Sequence, residues 1–481
     1  MSKPTYISFT EQDLAAFSEA SGDRNPLHLS QEYSRRTPYG QPVVFGCLGA
    51  IACLGQIPLQ AGWRAKSLEA EFLRPMFVGV QYRVEASQKG DRLEARLFDG
   101  STPALLIAVT VGVSDRNDTE QGIPAASTFE RRDAAVRQEE GMVPGLEVSG
   151  VYACNSVTLA AVAERWGIVD GLLATALSWS SYLVGMELPG ESALFFKLVL
   201  QFGETARRPA TMLYRASVAY RGYGQIKLDV SLLAGASTIA CGQCWSYVRP
   251  PQPESGEIDS AGVRADSMAG RVAVLIGSSR GLGAAMKRAL ELRGGTVYGM
   301  ARSADACDLP HTEVGDAADL DALRRLRERV LKEHGCLDFL ICNACPPLLP
   351  LLLEPEAAER IGAYINAAVS LTLAPLSEFL DLLNRSGGCA VIISSTVVES
   401  PVREWPHYVA AKRAVEALAG VAALQYPRVR TLIVRPKKLL TALTNTPLGR
   451  LGAASPGPLA NRIAARLEYP MDPGTVEILH G

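Results

Sequence analysis

The chain has 481 residues, of which 48% are hydrophobic and 20% charged, the balance of an ordinary globular protein, and the length suggests about three domains. A formal net charge of −2 gives no electrostatic case for nucleic acid or an acidic membrane surface as partner. The N-terminal MSKPTYISFTEQ has no apolar signal core, and the most apolar run, PPLLPLLLEP, is short and broken by prolines. The expectation is a cytoplasmic protein with no membrane span.

In chain order, FTEQDLAAFSEA reads as a short helix with Thr10 as N-cap, Asp13 as capping-box partner, and Leu14 and Phe17 on the buried face. Gly22 ends it, and Asn25-Pro26 forces a turn, because proline pushes the preceding residue out of the helical region. That turn, inside SGDRNPLHLS, can bring Asp23 and His28 towards one point. A carboxylate and an imidazole sharing a partly dry pocket suit proton transfer near neutral pH. The competing reading makes Asp23 a turn cap and His28 a core histidine; the whole D-x-N-P-x-H spacing favours the pair.

SGDRNPLH, followed by RRTPYGQPVVFGCLGA, resembles the (R)-specific enoyl-CoA hydratases, the MaoC-like branch of the hotdog fold. The resemblance implies a central helix wrapped by an antiparallel sheet that binds an acyl thioester, with Asp23 and His28 as catalytic dyad. It places Asn25 and Gly46 on the substrate side, with backbone N–H groups near Gly46 polarising the thioester carbonyl. The sequence departs from the family at Phe45, where relatives often carry histidine.

The runs LEAEFL, VQYRVEAS, RLEARLF and ALLIAVTVGV read as strands and complete a hotdog domain over residues 1–120, with SDRNDTEQG as a linker. Residues 126–250 repeat the pattern. WGIVDGLLATALSWSSYLVG is a long apolar helix candidate, followed by the strand-like ALFFKLVLQF, ATMLYRASVAY, IKLDVSLL and STIACGQCWSYV. With no histidine between residues 116 and 250, this second hotdog carries no such dyad; the alternative is an unrelated α+β domain. The C-x-x-C pairs Cys241/Cys244 and Cys342/Cys345 lie too far apart for a zinc ribbon, and alternation along the strand points Cys241 and Cys244 to opposite faces, so no metal site is expected. Residues 251–268, rich in Pro, Gly, Ser and charge, read as an interdomain linker.

GRVAVLIGSSRGLGAAMKRAL opens the last block, residues 269–481, with an apolar strand turning through Gly277, Gly281 and Gly283 into a helix. Glycines there permit a tight turn and close approach of backbone to a pyrophosphate at the helix N-terminus. Further strands end at TVYGMARS, VGDAADL, LDFLICNAC and CAVIISSTV; AYINAAVS places Asn366 on a helix, and HYVAAK sets Tyr408 and Lys412 on one helix face. Apolar strands alternating with helices give an α/β, Rossmann-type doubly wound parallel sheet.

This ordered set resembles the short-chain dehydrogenase/reductases, particularly the 3-oxoacyl thioester reductases, from residue 269 to about 460. The resemblance implies Asn366, Ser395, Tyr408 and Lys412 as catalytic tetrad; Ser395 is preferred to Ser394 because it stands thirteen residues before Tyr408, as the family's serine does. It implies a dinucleotide held by Gly277, Ser279, Arg280, Gly281, Leu282, Gly283, Arg302, Asp316, Asn343, Ala344, Tyr408, Lys412 and Pro436. Tyr408 is the proton donor, and cationic Lys412 is expected to lower the phenol from about 10. Cys345 stands where N-A-G has glycine, beside the adenosine end of the cofactor, and Lys437 follows Pro436 where glycine is usual. Arg280 and Arg302, with no carboxylate at 301–302, favour NADPH over NADH.

The combined expectation is a double hotdog fused to a short-chain reductase. It is a homo-oligomeric enzyme taking a 3-oxoacyl thioester, on CoA or an acyl-carrier protein, through the (R)-3-hydroxyacyl to the trans-2-enoyl thioester. The alternatives are a hydratase/dehydrogenase running oxidatively and an acyl-carrier-binding scaffold with one active half.

Overall fold

A computed structural model describes residues 5–57, 63–113, 132–168, 170–204, 211–253, 258, 263–302 and 311–481. The expected linker SDRNDTEQG and part of the segment 251–268 lie outside the described residues. The chain divides into two units, Met1–Pro251 and Gln252–Gly481.

In the first unit, strand β1 (Thr5–Ser8) leads into helix α1 (Glu11–Ser21). Thr10 Oγ1 accepts the Asp13 N–H at 3.2 Å and Asp13 Oδ2 accepts the Thr10 N–H at 2.8 Å, closing the capping box. Gly22, in the left-handed region at φ 75°, ends the helix. The segment beyond Gly22 holds more than the expected turn. Asn25 caps a one-turn helix, α2 (Pro26–Leu29), and Ser30 caps another, α3 (Gln31–Arg35). Proline excludes the residue before it from the helix but suits the first helical position, so Asn25-Pro26 starts a helix rather than only breaking one. Helix α4 (Gly46–Leu54) is almost wholly buried.

Strands β2 (Trp63–Phe72), β3 (Gln81–Lys89), β4 (Arg92–Asp99) and β5 (Thr102–Val113) come next. The second half then repeats the order: β6 (Glu147–Tyr152), α5 (Ser156–Trp166), α6 (Gly171–Tyr182), β7 (Ala193–Phe202), β8 (Met212–Gly222), β9 (Gln225–Ala234) and β10 (Ser237–Val248). All ten strands form one sheet, ordered β1-β3-β4-β5-β2-β7-β10-β9-β8-β6, which reads as the same five-strand order from either end. The halves meet where β2 pairs antiparallel with β7, Leu68 opposite Leu200 and Ala70 opposite Leu198. Those four side chains are 0–1% exposed, each leucine contributing about 1.5–3 kcal/mol. One hydrophobic core runs through both halves, and α4 packs on α6.

The helix expected to begin at Trp166 starts only at Gly171, after a separate helix α5 that ends at Trp166. Gly167, at φ 78°, terminates α5, and the Asp170 side chain caps α6 by accepting from Leu172 N–H and Leu173 N–H. A π-helical turn, Leu183–Glu187, extends α6. As the alternation implies, Cys241 is exposed and Cys244 buried.

The second unit is a seven-stranded, wholly parallel sheet. Its chain order is β11 (Val272–Ile276), α7 (Gly281–Glu291), β12 (Thr296–Ala301), β13 (Thr312–Val314), α8 (Leu320–His334), β14 (Phe339–Cys342), α9 (Ala358–Ser386), β15 (Cys389–Ile393), α10 (Pro406–Gln425), β16 (Arg430–Arg435), α11 (Pro456–Leu467) and β17 (Val476–His480). The spatial order β13-β12-β11-β14-β15-β16-β17 reverses between β11 and β14, which makes a ligand crevice at their carboxyl ends. Ile258 and Met268, expected in a linker, are buried in this unit's core. Helix α9 is long and apolar enough to cross a bilayer by length and composition; here it packs on β14, β15, α8 and α10.

Candidate active sites

The loop between α1 and α4 carries Asp23, Asn25 and His28. Asp23 is 1% exposed. Its Oδ1 accepts the Asn25 N–H at 3.0 Å, its Oδ2 accepts the Ser181 hydroxyl at 2.6 Å, and its carbonyl accepts the Ser18 hydroxyl at 2.7 Å. Burial pushes the carboxyl up to about 6, against the pull of its two donors. His28 Nδ1 lies 2.6 Å from the Val43 carbonyl oxygen. A carbonyl only accepts, so Nδ1 carries the proton and Nε2 presents a lone pair. Desolvation drives the imidazole down to about 4, so at pH 7 the ring is neutral. Phe45, the departure from the family pattern, stacks on the His28 ring at 4.0 Å between centroids. Among the described residues no hydrogen bond joins Asp23 to His28; each is fixed by its own partners.

Asn25, expected on the substrate side, is 1% exposed with its side chain already engaged. Its Oδ1 accepts the Leu27 N–H at 3.0 Å, and its Nδ2 donates to the carbonyls of Gly185 and Gly190 at 3.2 Å and of Glu191 at 3.3 Å. Its amide therefore locks the dyad loop to the second half of the unit instead of facing a ligand. Gly46 begins α4; a Cβ there would lie 2.8 Å from the Phe72 ring. The N-cap Phe45 supplies no side-chain bond to the first turn, which leaves its N–H groups for an acceptor.

The second repeat has no counterpart to this loop. Residues 22–45 separate α1 from α4, whereas only residues 167–170 separate α5 from α6. Its contribution is Ser181, Gly185 and the carbonyls that hold Asn25. Sequence reading missed these, because no local spacing links Ser181 to Asp23.

In the second unit, Gly277 sits at φ 82° and Gly281 at φ 51°. A Cβ at Gly283 would lie 1.9 Å from the Gly277 carbonyl oxygen, and one at Gly277 would lie 3.0 Å from Ala344 Cα. Asn343 Nδ2 donates to that same carbonyl at 2.9 Å, tying the end of β14 to the loop. Arg280 occupies the N-cap of α7 without a side-chain bond to the first turn, so the helix N–H groups remain for a pyrophosphate. This cradle fits a dinucleotide. Leu282 is buried, Ser279 half-buried, and Arg280, Arg302 and Asp316 are exposed. Pro436 is buried, its carbonyl accepting the Thr396 N–H at 3.1 Å, while Lys437 is exposed.

Ser395 Oγ accepts the Val397 N–H at 3.3 Å and hydrogen-bonds the Tyr408 hydroxyl. Ser394 instead donates to Glu416 at 2.6 Å, a carboxylate also gripped by Arg435. Lys412 Nζ donates to the Ile393 carbonyl at 2.8 Å and stands 5.6 Å from the Tyr408 ring centroid. The structure thus brings Ser395, Tyr408 and Lys412 together. Asn366 is exposed on α9, and among the described residues no hydrogen bond ties its side chain to the other three.

One expectation needs correction. Burial pushes the Tyr408 phenol well above 10, with Cys345 adding to the rise and the Ser395 hydrogen bond opposing it, so the net shift is upward and not the lowering expected from Lys412. Cys345 Sγ lies 3.5 Å from the Tyr364 hydroxyl, and Tyr364 meets the buried His407 edge-on at 4.5 Å.

Residues 2–108 match the MaoC like domain family, and residues 271–448 match the short chain dehydrogenase family. The N-terminal part is similar to 3-hydroxybutyryl-CoA dehydratase of Methylorubrum extorquens, 34% identical over 94 residues, which is 18% of this chain and 60% of that protein. The C-terminal part is similar to an uncharacterized oxidoreductase of the same organism, 30% identical over 37% of this chain and 76% of the relative. It is also similar to the 3-oxoacyl-acyl-carrier-protein reductase FabG of Haemophilus influenzae, 24% identical over 39% of this chain and 87% of that protein.

Proposed function

Because the chain belongs to the short chain dehydrogenases through residues 271–448 and carries a MaoC like domain at residues 2–108, we propose that it reduces a 3-oxoacyl thioester and then dehydrates the product. What carries this reading is that one chain joins a short chain dehydrogenase to a MaoC like domain, the pairing that two consecutive steps on one thioester would use. The substrate is a thioester of CoA or an acyl-carrier protein, the intermediate (R)-3-hydroxyacyl, the product trans-2-enoyl, and the setting cytoplasmic.

In reduction, a nicotinamide cofactor supplies hydride to the ketone carbon. Tyr408 gives its proton to the carbonyl oxygen and Ser395 donates a hydrogen bond to the same oxygen. The high phenol pKa keeps Tyr408 protonated until that charge develops. Lys412, anchored on Ile393, keeps a positive charge beside the ring. Arg280 and Arg302 are the cations assigned to the 2′-phosphate of NADPH, which gives the reductive direction.

In dehydration, His28 Nε2 takes the C2 proton. The N–H groups at the start of α4 stabilise the thioester oxygen as it gains charge. The C3–O bond then breaks as Asp23 gives its proton to the departing hydroxyl, which leaves as water. A neutral imidazole and a carboxyl raised to about 6 match these two roles.

The test separates the centres. Asp23→Asn and His28→Ala should abolish conversion of a hydroxyacyl to an enoyl thioester while NADPH oxidation with a 3-oxoacyl thioester continues. Mass spectrometry should then show the hydroxyacyl thioester accumulating. Wild-type dehydration in both variants would overturn the reading.

A further inference from the structure

The histidine-free repeat reaches into the dyad through one side chain. Serines inside helices usually bond back to the carbonyl four residues earlier, and Ser180 does so, to Ala176 at 2.8 Å. Ser181, beside it on α6, instead donates to Asp23 Oδ2 at 2.6 Å, although the two stand 158 residues apart. That is the short distance of a charge-assisted bond. Ser181 is 5% exposed and Asp23 1%, so the bond is made away from bulk solvent. One turn later, within the π-helical turn, Gly185 lets the backbone lie against the same group, since a Cβ there would be 2.5 Å from Asp23 Oδ1.

We propose that Ser181 is a positioning residue for the dehydration step: its hydroxyl fixes the orientation of the Asp23 carboxyl and favours its charged form, which makes the second repeat a working part of the active site. The inference rests on the Asp23–His28 dyad proposed for dehydration. The titratable groups around the carboxyl are Cys47 on α4, in hydrogen-bond contact with Ser181, Tyr152 on β6, and His28 and Arg24 on the dyad loop. Burial pushes the Cys47 thiol and the Tyr152 phenol well above their usual ranges, and His28 is down at about 4. Glu187, at the far end of the π-helical turn, is paired with Arg132 and accepts from Tyr182 and Tyr214. Asp23, held at about 6, is therefore the group whose titration the Ser181 bond adjusts.

The experiment uses the full chain with a 3-hydroxyacyl-CoA, measuring kcat, KM and the pH profile of dehydration for Ser181→Ala, Ser181→Cys and Asp23→Asn. Loss of a donor that favours the charged form raises the carboxyl pKa, so the Asp23 limb should move up by about one pH unit or more. At the plateau kcat should fall about tenfold or more from lost orientation, with KM little changed. Ser181→Cys preserves the volume with a weaker donor and reports the same shift if the alanine variant does not fold. An unmoved limb in the folded variants, with Asp23→Asn inactive, would overturn the role of Ser181. Full activity in Asp23→Asn would instead overturn the dyad itself.

Discussion

Replacing Asn25 with alanine should loosen the first unit without touching a reacting atom. The residue is 1% exposed and holds four backbone groups: the Leu27 N–H through Oδ1, and the carbonyls of Gly185, Gly190 and Glu191 through Nδ2. Loss of the cap on α2 costs about 1 kcal/mol. Stranding the buried carbonyls costs about 1–3 kcal/mol more, so a total of about 3 kcal/mol is expected. With a urea slope of about 1–3 kcal/mol per molar, the unfolding midpoint of this unit should drop by about 1 M or more. Tryptophan fluorescence reports it, because Trp63, Trp166, Trp179 and Trp245 belong to the first unit and Trp179 is 0% exposed. Asn25→Asp keeps the capping oxygen but turns a second oxygen on three carbonyls, and should be worse. Dehydration should fall with both variants, since the same loop carries Asp23, while ketone reduction continues. A midpoint equal to wild type in Asn25→Ala would refute the claim that this amide locks the loop.

Tyr408→Phe removes the proton donor while preserving the ring, so reduction should fall by about a hundredfold or more, with dehydration of a supplied hydroxyacyl thioester intact. Near-normal reduction would remove Tyr408 from the mechanism. Arg302→Ala should weaken NADPH much more than NADH in a binding titration; equal losses, or a wild-type preference for NADH, would move the reading towards oxidative breakdown. Dehydration requires neutral His28, lost as pH falls through about 4, and protonated Asp23, lost as pH rises through about 6. Its kcat/KM should therefore drop by about tenfold between pH 7 and pH 8, and a rate still climbing there would remove Asp23 as the acid.

The features legible in the sequence are those whose signal is local. D-x-N-P-x-H, the glycines of the β11–α7 loop and the Ser395, Tyr408, Lys412 spacing are short-range patterns, and the hotdog and Rossmann elements come from alternation and apolar runs. The start of α6 is also written locally, in Gly167 and the capping Asp170, but the apolar residues that follow Trp166 hide it. Ser181 is illegible for a different reason. Its meaning depends on antiparallel pairing of β2 with β7, which brings distant halves of the chain to one core. The Tyr408 phenol shows the same limit: the spacing to Lys412 is written in the helix, but the burial that raises the phenol depends on packing from distant elements.

The joining of the two five-stranded halves in one polypeptide has an evolutionary consequence. In an assembly of identical subunits, every substitution is felt twice, so a residue that improves one site also alters its symmetry mate. Within a single chain the halves are free to diverge. One has the long loop between its helices; the other joins its helices through four residues and lends one helix to its neighbour's site. Specialisation of this kind trades two equivalent pockets for one that draws on both halves, and it leaves the partner half open to drift wherever it does not touch the dyad loop.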